Sequence, residues 1–250
     1  MVTSTLPVID FAVPDGPINC ACVIHGNVYG WEYVDRLHNM LKRHLTRPVC
    51  LHVYTEANRP VPETMIKHAL PDWSISGPKQ SWWYKMQVFN TQHYQGPLLY
   101  FDLDTVITDN IDWIWQNSLQ YFWGLRDFKY LWRATSYTVN TSVMWFHTVR
   151  FAHVYESFLQ QGVSNVIRRF HGDQDYVTDT IKQEQRRMLD PERVKSWRWQ
   201  ALDGGFDFKR RKYHAPGSGT QITEKTSLLV FHGRPKPAEI QDPLILQHWQ

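Results

Sequence analysis

Cysteine is scarce and odd in number: Cys20, Cys22 and Cys50 are the only three in 250 residues. Three thiols in apolar, strand-like surroundings exclude a disulfide scaffold or a zinc framework, and all three read as small core residues. Long apolar runs are missing as well. Residues 1–17 carry Pro7, Asp10, Pro14, Asp15 and Pro17, which interrupt the apolar core that a secretion signal needs, and no later stretch is long enough to span a bilayer. The expectation is a soluble, cytoplasmic protein without signal peptide or transmembrane segment. An excess of one charge is absent too: 27 Lys+Arg against 24 Asp+Glu leave +3, too little to make nucleic acid or a membrane surface the default partner. No internal repeat is visible, which excludes a solenoid.

What is present is a length and a 42% hydrophobic share that support one sizeable core. Short β-branched or apolar runs ending in polar residues predict strands at Ile18–His25, Val49–Tyr54, Leu98–Asp102, Val139–His147 and Leu228–His232. Helical periodicity alternates with them: Trp31, Val34, Leu37, Leu41 and Leu45 after Gly30, then Trp82, Met86, Phe89 and His93. Further helices are predicted near Asp109–Leu119, Val149–Gln161 and Asp173–Arg187, the last with Asp173 as a candidate N-cap. The class is α/β. The Gly- and Pro-rich stretch Asp203–Gln221 around Lys209–Lys212 reads either as a lid or as a solvated loop.

Chemistry-bearing residues gather at strand ends. Tyr100-Phe101-Asp102-Leu103-Asp104 presents two carboxylates one residue apart after an apolar strand. Such a pair can hold Mg²⁺ or Mn²⁺, hard cations that prefer oxygen ligands and often share them with substrate phosphates. Solvated acids at a strand end are the plain alternative. Lys85, seventeen positions earlier, is a candidate phosphate cation, and Asn140, Thr141 and Ser142 at a strand start can hydrogen-bond a sugar hydroxyl. Asp173, Gln174 and Asp175 open a helix with groups able to grip sugar hydroxyls. His232 and Lys236 follow the last apolar strand as a possible metal ligand and a possible phosphate cation.

Two resemblances follow from these residues. Asp102-Leu103-Asp104-Thr105-Val106 is similar to the first motif of haloacid-dehalogenase-type phosphatases, in which the first Asp attacks phosphorus and the second protonates the leaving group. That motif normally lies on the first strand of its domain. The wider series resembles nucleotide-sugar glycosyltransferases of the GT-A fold, most closely glycosyltransferase family 8 and its relatives. It runs from Ile18–His25 through Asn27, Tyr29, Lys85, Asp102-Leu103-Asp104, Asn140-Thr141-Ser142-Val143-Met144 and Gly172-Asp173-Gln174-Asp175 to His232-Gly233-Arg234-Pro235-Lys236-Pro237. The family's terminal motif usually spaces its histidine and lysine further apart.

The glycosyltransferase resemblance implies a single GT-A (Rossmann-like) domain over 1–250, with a mixed, mostly parallel central sheet flanked by helices. Its nucleotide-binding half would cover 18–110 and its acceptor-side half 111–237, with terminal segments wrapping the domain. It implies Mn²⁺ or Mg²⁺ on Asp102, Asp104 and His232, Lys85 and Lys236 on the diphosphate, and a nucleoside pocket near His25, Asn27 and Tyr29. Asn140 and Ser142 belong to the same donor site, and Asp173 or Gln174 would position an oxocarbenium-like sugar. The implied reaction moves a sugar from a UDP-sugar to a carbohydrate or other hydroxyl acceptor with retention. A nucleic-acid acceptor is the lesser alternative, drawn from Arg186, Arg187, Arg198 and Lys209–Lys212 beside Trp197 and Trp199. A sugar-binding module on an inactive transferase fold is a third reading.

Overall fold

The structure is a computed structural model that describes residues 12–75, 81–131, 133–202, 206–207, 212–213 and 222–250. Its main sheet contains β1 (Ile18–Val23), β2 (Val49–Thr55), β3 (Ile66–Ala69), β4 (Pro97–Phe101), β6 (Phe122–Arg126), β7 (Val139–His147) and β8 (Arg186–Met188) in the order β3-β2-β1-β4-β7-β6-β8. The first four run parallel, β7 is antiparallel to β4 and to β6, and β8 is parallel to β6. A second sheet of β5 (Thr105–Ile107), β12 (Leu228–Val230) and β9 (Val194–Ser196) stands beside it in the order β5-β12-β9. The short strands β10 (Phe206–Asp207) and β11 (Lys212–Tyr213) form an antiparallel pair; the rest of the candidate lid lies outside the described residues.

The central strands are largely apolar because both faces are covered, and the side-chain period of two sorts their apolar residues between two layers. Cys20, Cys22, Leu99, Phe101, Val143 and Trp145 lie in the apolar layer to which helix α1 (Glu32–His44) contributes Val34, Leu37 and Leu41. Ala21, Leu98, Tyr100, Met144 and Phe146 face the other way, onto Trp83 and Met86 of the 3-10 segment Ser81–Phe89 and onto Phe158 and Tyr176. Those last two come from α3 (His153–Gln161) and α5 (Asp173–Thr180), which follow α2 (Asp112–Trp115) and, with α4 (Val163–Arg169) between them, cover this face. The C-terminal α6 (Pro243–His248) leads to Trp249, which packs edge-on against Tyr33 of α1. Among the described residues no helix is long and apolar enough to cross a membrane.

Several expectations need correction. The pattern Trp82, Met86, Phe89 and His93 folds as a 3-10 segment that stops at Phe89, since Lys85 and Gln87 are drawn inward along with the apolar residues. Asp109–Leu119 contains only the single turn Asp112–Trp115, whose Asp112 carboxylate is taken up by Thr46 N, Trp115 and Asn110. The helix predicted over Asp173–Arg187 ends at Thr180, because Arg186–Met188 pairs with β6 instead; tertiary pairing overrides the local pattern. The last strand ends at Val230 and belongs to the second sheet. Cys20 and Cys22 are core residues as expected, whereas Cys50 is only partly buried. Gly124 interrupts the apolar run of β6, so the sequence pattern does not show this strand; a Cβ there would lie 2.4 Å from Val139 Cγ1, and β6 and β7 meet closely at this point.

At the β2–β3 side, His52 Nδ1 and His68 Nε2 lie 2.8 Å apart, with the two rings stacked. Burial lowers both pKa values to about 4. The folded state therefore binds fewer protons than the unfolded chain between the ordinary histidine value and pH 4, and stability must fall as pH drops through that window. Each histidine contributes up to about 1.4 kcal/mol per pH unit. Urea midpoints taken from pH 7 to pH 4.5 will show this fall, and His68→Gln, which keeps a hydrogen-bonding group but cannot titrate, will make it shallower.

Candidate functional site

All the polar strand ends of interest meet at one edge. β7 is antiparallel to β4, so its first residues stand beside the last residues of β4, and Arg126 at the end of β6 pairs with Val139 at the start of β7. Asp102 prolongs the sheet by one bond, its N–H donating to Ser142 O at 2.7 Å. Leu103 is buried in the core between the two acids. Asp104 then leads into β5, and its carbonyl accepts Phe231 N–H of the segment after β12 at 3.2 Å. One carboxylate thus belongs to each sheet.

Lys85 is buried among acids. Its ammonium reaches Asp102 Oδ1 at 2.8 Å and Asp173 Oδ2 at 3.1 Å, and donates to Thr141 Oγ1 at 3.2 Å. Burial works against its charge, but Asp102 and Asp173 outweigh burial and push its pKa above the usual lysine range. Thr141 donates to Asp173 Oδ2 at 2.5 Å, and Tyr100 OH to Asp102 Oδ1 at 2.7 Å. Asp173 was a candidate N-cap. Gly172 holds the cap position instead, which frees the Asp173 side chain to turn to Lys85.

Around Asp104, Oδ2 accepts Tyr29 OH at 2.9 Å and also the ammonium of Lys236. Burial is the largest influence on this carboxyl and, with Asp102 beside it, leaves its pKa above the usual value although Lys236 and Tyr29 pull it down. Asp102, Asp104 and Asp173 against Lys85 and Lys236 leave one negative charge in excess at this edge. Asp102 Oδ2 and Asp104 Oδ1 meet no donor among the described residues. Hard oxygens short of positive charge fit a divalent cation.

The histidine stands apart from that pair. His232 Nε2 is 2.6 Å from Ser196 Oγ, and its ring packs against Trp199 at 4.0 Å and Phe128 at 5.4 Å. Burial first, then Arg198 and Lys236, lower its pKa to about 3, so the imidazole is neutral, the form that ligates metals. Among the described residues no three His, Cys, Asp or Glu side chains are grouped to hold an ion.

The remaining sequence candidates are spread along this edge. His25 packs on Tyr84, Asn27 is exposed, and Tyr29 is turned to Asp104. Asn140 Oδ1 accepts Ser142 N–H at 2.9 Å, a local bond within its own strand. Gln174 Nε2 donates to Asp127 Oδ2 at 2.8 Å. Among the described residues the basic aromatic groove drawn for a nucleic-acid acceptor is not assembled: Trp197 is in the core, stacked on Phe231, and Trp199 lies against His232, while Lys209, Arg210 and Arg211 lie outside the described residues. Sequence reasoning missed Tyr100, Asp127 and Ser196. Asp127 carried a readable signal, an acid directly after the strand residues Leu125-Arg126, but the strand itself was not recognised.

By sequence the chain matches no family model and no curated protein. By structure it is similar to solved glycosyltransferases. An active-site mutant of LgtC superposes with TM-score 0.62 at 12% identity, covering 90% of this chain and 91% of that one. The galactosyltransferase LgtC in complex with donor and acceptor sugar analogues gives 0.56 at 12% identity, over 88% and 89%. The bifunctional enzyme WbbM gives 0.58 at 12% identity, over 90% of this chain and 47% of that one. The chain therefore has a GT-A-type glycosyltransferase fold.

Removing the Lys85 ammonium leaves two neighbouring carboxylates at a largely buried site without their counter-charge. Lys85→Met is expected to cost about 3–5 kcal/mol, the range for breaking one side of a buried ion pair. Denaturant unfolding checks it, and Lys85→Arg, which keeps the charge, should lose less.

Proposed function

We propose that this protein is a nucleotide-sugar-dependent glycosyltransferase that moves a sugar from a nucleotide-diphosphate donor, a UDP-sugar in the first instance, to a carbohydrate or other hydroxyl acceptor with retention of configuration. The observation that carries this reading is the meeting of Asp102, Asp104, Lys85, Lys236 and Asp173 at one sheet edge of a glycosyltransferase fold. The acids would hold a cation and the amines an anion, which is the charge pattern of a diphosphate site.

In this reading Asp102 and Asp104 would hold Mn²⁺ or Mg²⁺, whose charge offsets the negative charge growing on the departing diphosphate, and neutral His232, which stands apart from them on Ser196 Oγ, would join the ion only by leaving that bond. Lys236, on a partly exposed tether, is the cation free to shift from Asp104 to a phosphate oxygen. Lys85 is not: buried between Asp102 and Asp173, it holds the acids in place. His25, Asn27 and Tyr29 lie on the loop after β1 that would take the nucleoside. Asp173 and Gln174, on the first turn of α5, would grip the donor sugar as positive charge develops at its anomeric carbon, and Asn140 and Ser142 would line the rim. The phosphohydrolase reading has less support, since three strands precede the one that ends at the acidic pair.

Binding of a ligand to the folded state alone raises apparent stability, by about 2.7 kcal/mol at one hundred times Kd. One nucleotide diphosphate from a set of UDP, GDP, CDP, dTDP and ADP should raise the melting temperature in the presence of Mn²⁺, and Asp104→Asn should abolish the effect. Absence of any rise would count for the phosphohydrolase, to be probed with fluoroberyllate; binding of free sugars without nucleotide or metal would count for the inactive module.

A further inference from the structure

Asp127 is buried, one residue beyond the end of β6, and its backbone N–H is held by Thr138 O at 3.0 Å. Its two carboxylate oxygens are divided. Oδ1 accepts Lys129 N–H at 2.8 Å, closing the turn that follows, and Oδ2 accepts Gln174 Nε2–H at 2.8 Å. Among the described residues the nearest cation, Lys129, has a half-exposed side chain 3.7 Å away. Gln174 is held from the other side as well: Thr178 Oγ1 donates to Gln174 O at 2.7 Å and accepts Val139 N–H at 3.0 Å, which docks α5 on the start of β7.

An ionised carboxylate only accepts hydrogen bonds, whereas a carboxamide has one donating and one accepting end. Asp127 therefore decides which way the Gln174 amide lies. Nε2 must face Oδ2, and Oε1 must lie at the opposite edge of the planar amide, where no donor among the described residues meets it. The preceding residue, Asp173, is gripped by Lys85 and Thr141. Two consecutive residues of one helical turn are thus anchored from opposite flanks of the sheet edge.

We propose that Asp127 is a positioning residue for sugar transfer: by taking the amide hydrogen of Gln174 it keeps Gln174 Oε1 presented to the donor sugar, as acceptor for a sugar hydroxyl or as the negative end of a dipole toward the oxocarbenium-like centre. The assignment rests on the transferase reading above. Asp127→Asn is the informative change, because Asn keeps an oxygen for Lys129 N–H while its amide would meet the Gln174 amide donor to donor, so Gln174 turns over and offers N–H in place of oxygen.

The test is steady-state donor turnover by the full chain with Mn²⁺ and UDP-glucose, UDP-galactose or GDP-mannose, with and without simple sugar acceptors. Asp127→Asn should lower kcat ten- to a hundredfold, leave donor KM within about twofold, and leave the melting temperature nearly unchanged. Gln174→Glu alone sets two carboxylates against each other and should lose more. In Asp127→Asn/Gln174→Glu the Asn amide donates to the new carboxylate, and at least tenfold of the activity lost by Gln174→Glu should return. Additive losses in the double variant, or a fall in kcat matched by a fall in melting temperature, overturn the positioning role while leaving the transferase reading standing. A wild-type chain that turns over none of the donors overturns that reading, and the assignment with it.

Discussion

The site depends on one buried ammonium. Lys85 lies in a 3-10 segment packed under the sheet, and a charge taken from water at that depth is tolerated only with opposite charges around it. Asp102 comes from the end of β4 and Asp173 from the start of α5, seventy-one positions apart in sequence, yet both lie within 3.1 Å of the same nitrogen. Their separation is set by that nitrogen. Thr141 and Tyr100 complete the shell, so the edges of β4 and β7 and the tip of α5 are joined by a single charge cluster. A site that must hold several like charges close together needs such an internal counter-ion, because the folded chain exists before any ligand supplies one.

Leu103 turns this cluster into a two-sheet arrangement. With its side chain in the core, the flanking acids point to the same open edge while their backbones enter different sheets: Asp102 bonds to β7 and Asp104 to the segment after β12. The parallel pairing of β12 with β9 sets Val230 opposite Ser196, which is why His232 reaches Ser196 Oγ. The apolar packing of that ring keeps it neutral, and the excess negative charge nearby supplies the complementary condition for a cation.

Much of this was legible in the sequence because the central strands are buried on both faces and therefore read as continuous apolar runs ending in polar residues. Ile18–Val23, Val49–Thr55, Pro97–Phe101 and Val139–His147 follow from that alone, and with them the ends that carry Asp102 and Asn140. Strands whose identity comes from pairing were not legible. Arg186–Met188 has no apolar pattern and exists because Phe122 and Trp123 offer it an edge. The same limit hid Asp127: with β6 unrecognised, its final acid could not be placed beside Gln174. Lys85 reads in the sequence as a phosphate cation, and its ion pairs with Asp102 and Asp173 were not legible, since periodicity around Trp82 and Met86 says nothing of a 3-10 segment that buries its polar residues too.

The close spacing of His232 and Lys236 shows how the fold can reach one end by another local route. Over the three residues between them an extended chain would carry Lys236 away from the acids. Instead Gly233 adopts a left-handed conformation, φ 78°, open to glycine at little cost, and a side chain there would also strike the Arg198 guanidinium, 2.6 Å from the position a Cβ would take. The chain turns back on itself, Lys236 donates to Phe231 O at 3.3 Å, and its ammonium arrives at Asp104. Both the histidine and the lysine are therefore delivered from one strand end, the first held by Ser196 of the neighbouring strand and the second by a turn that only a residue without a side chain can make comfortably.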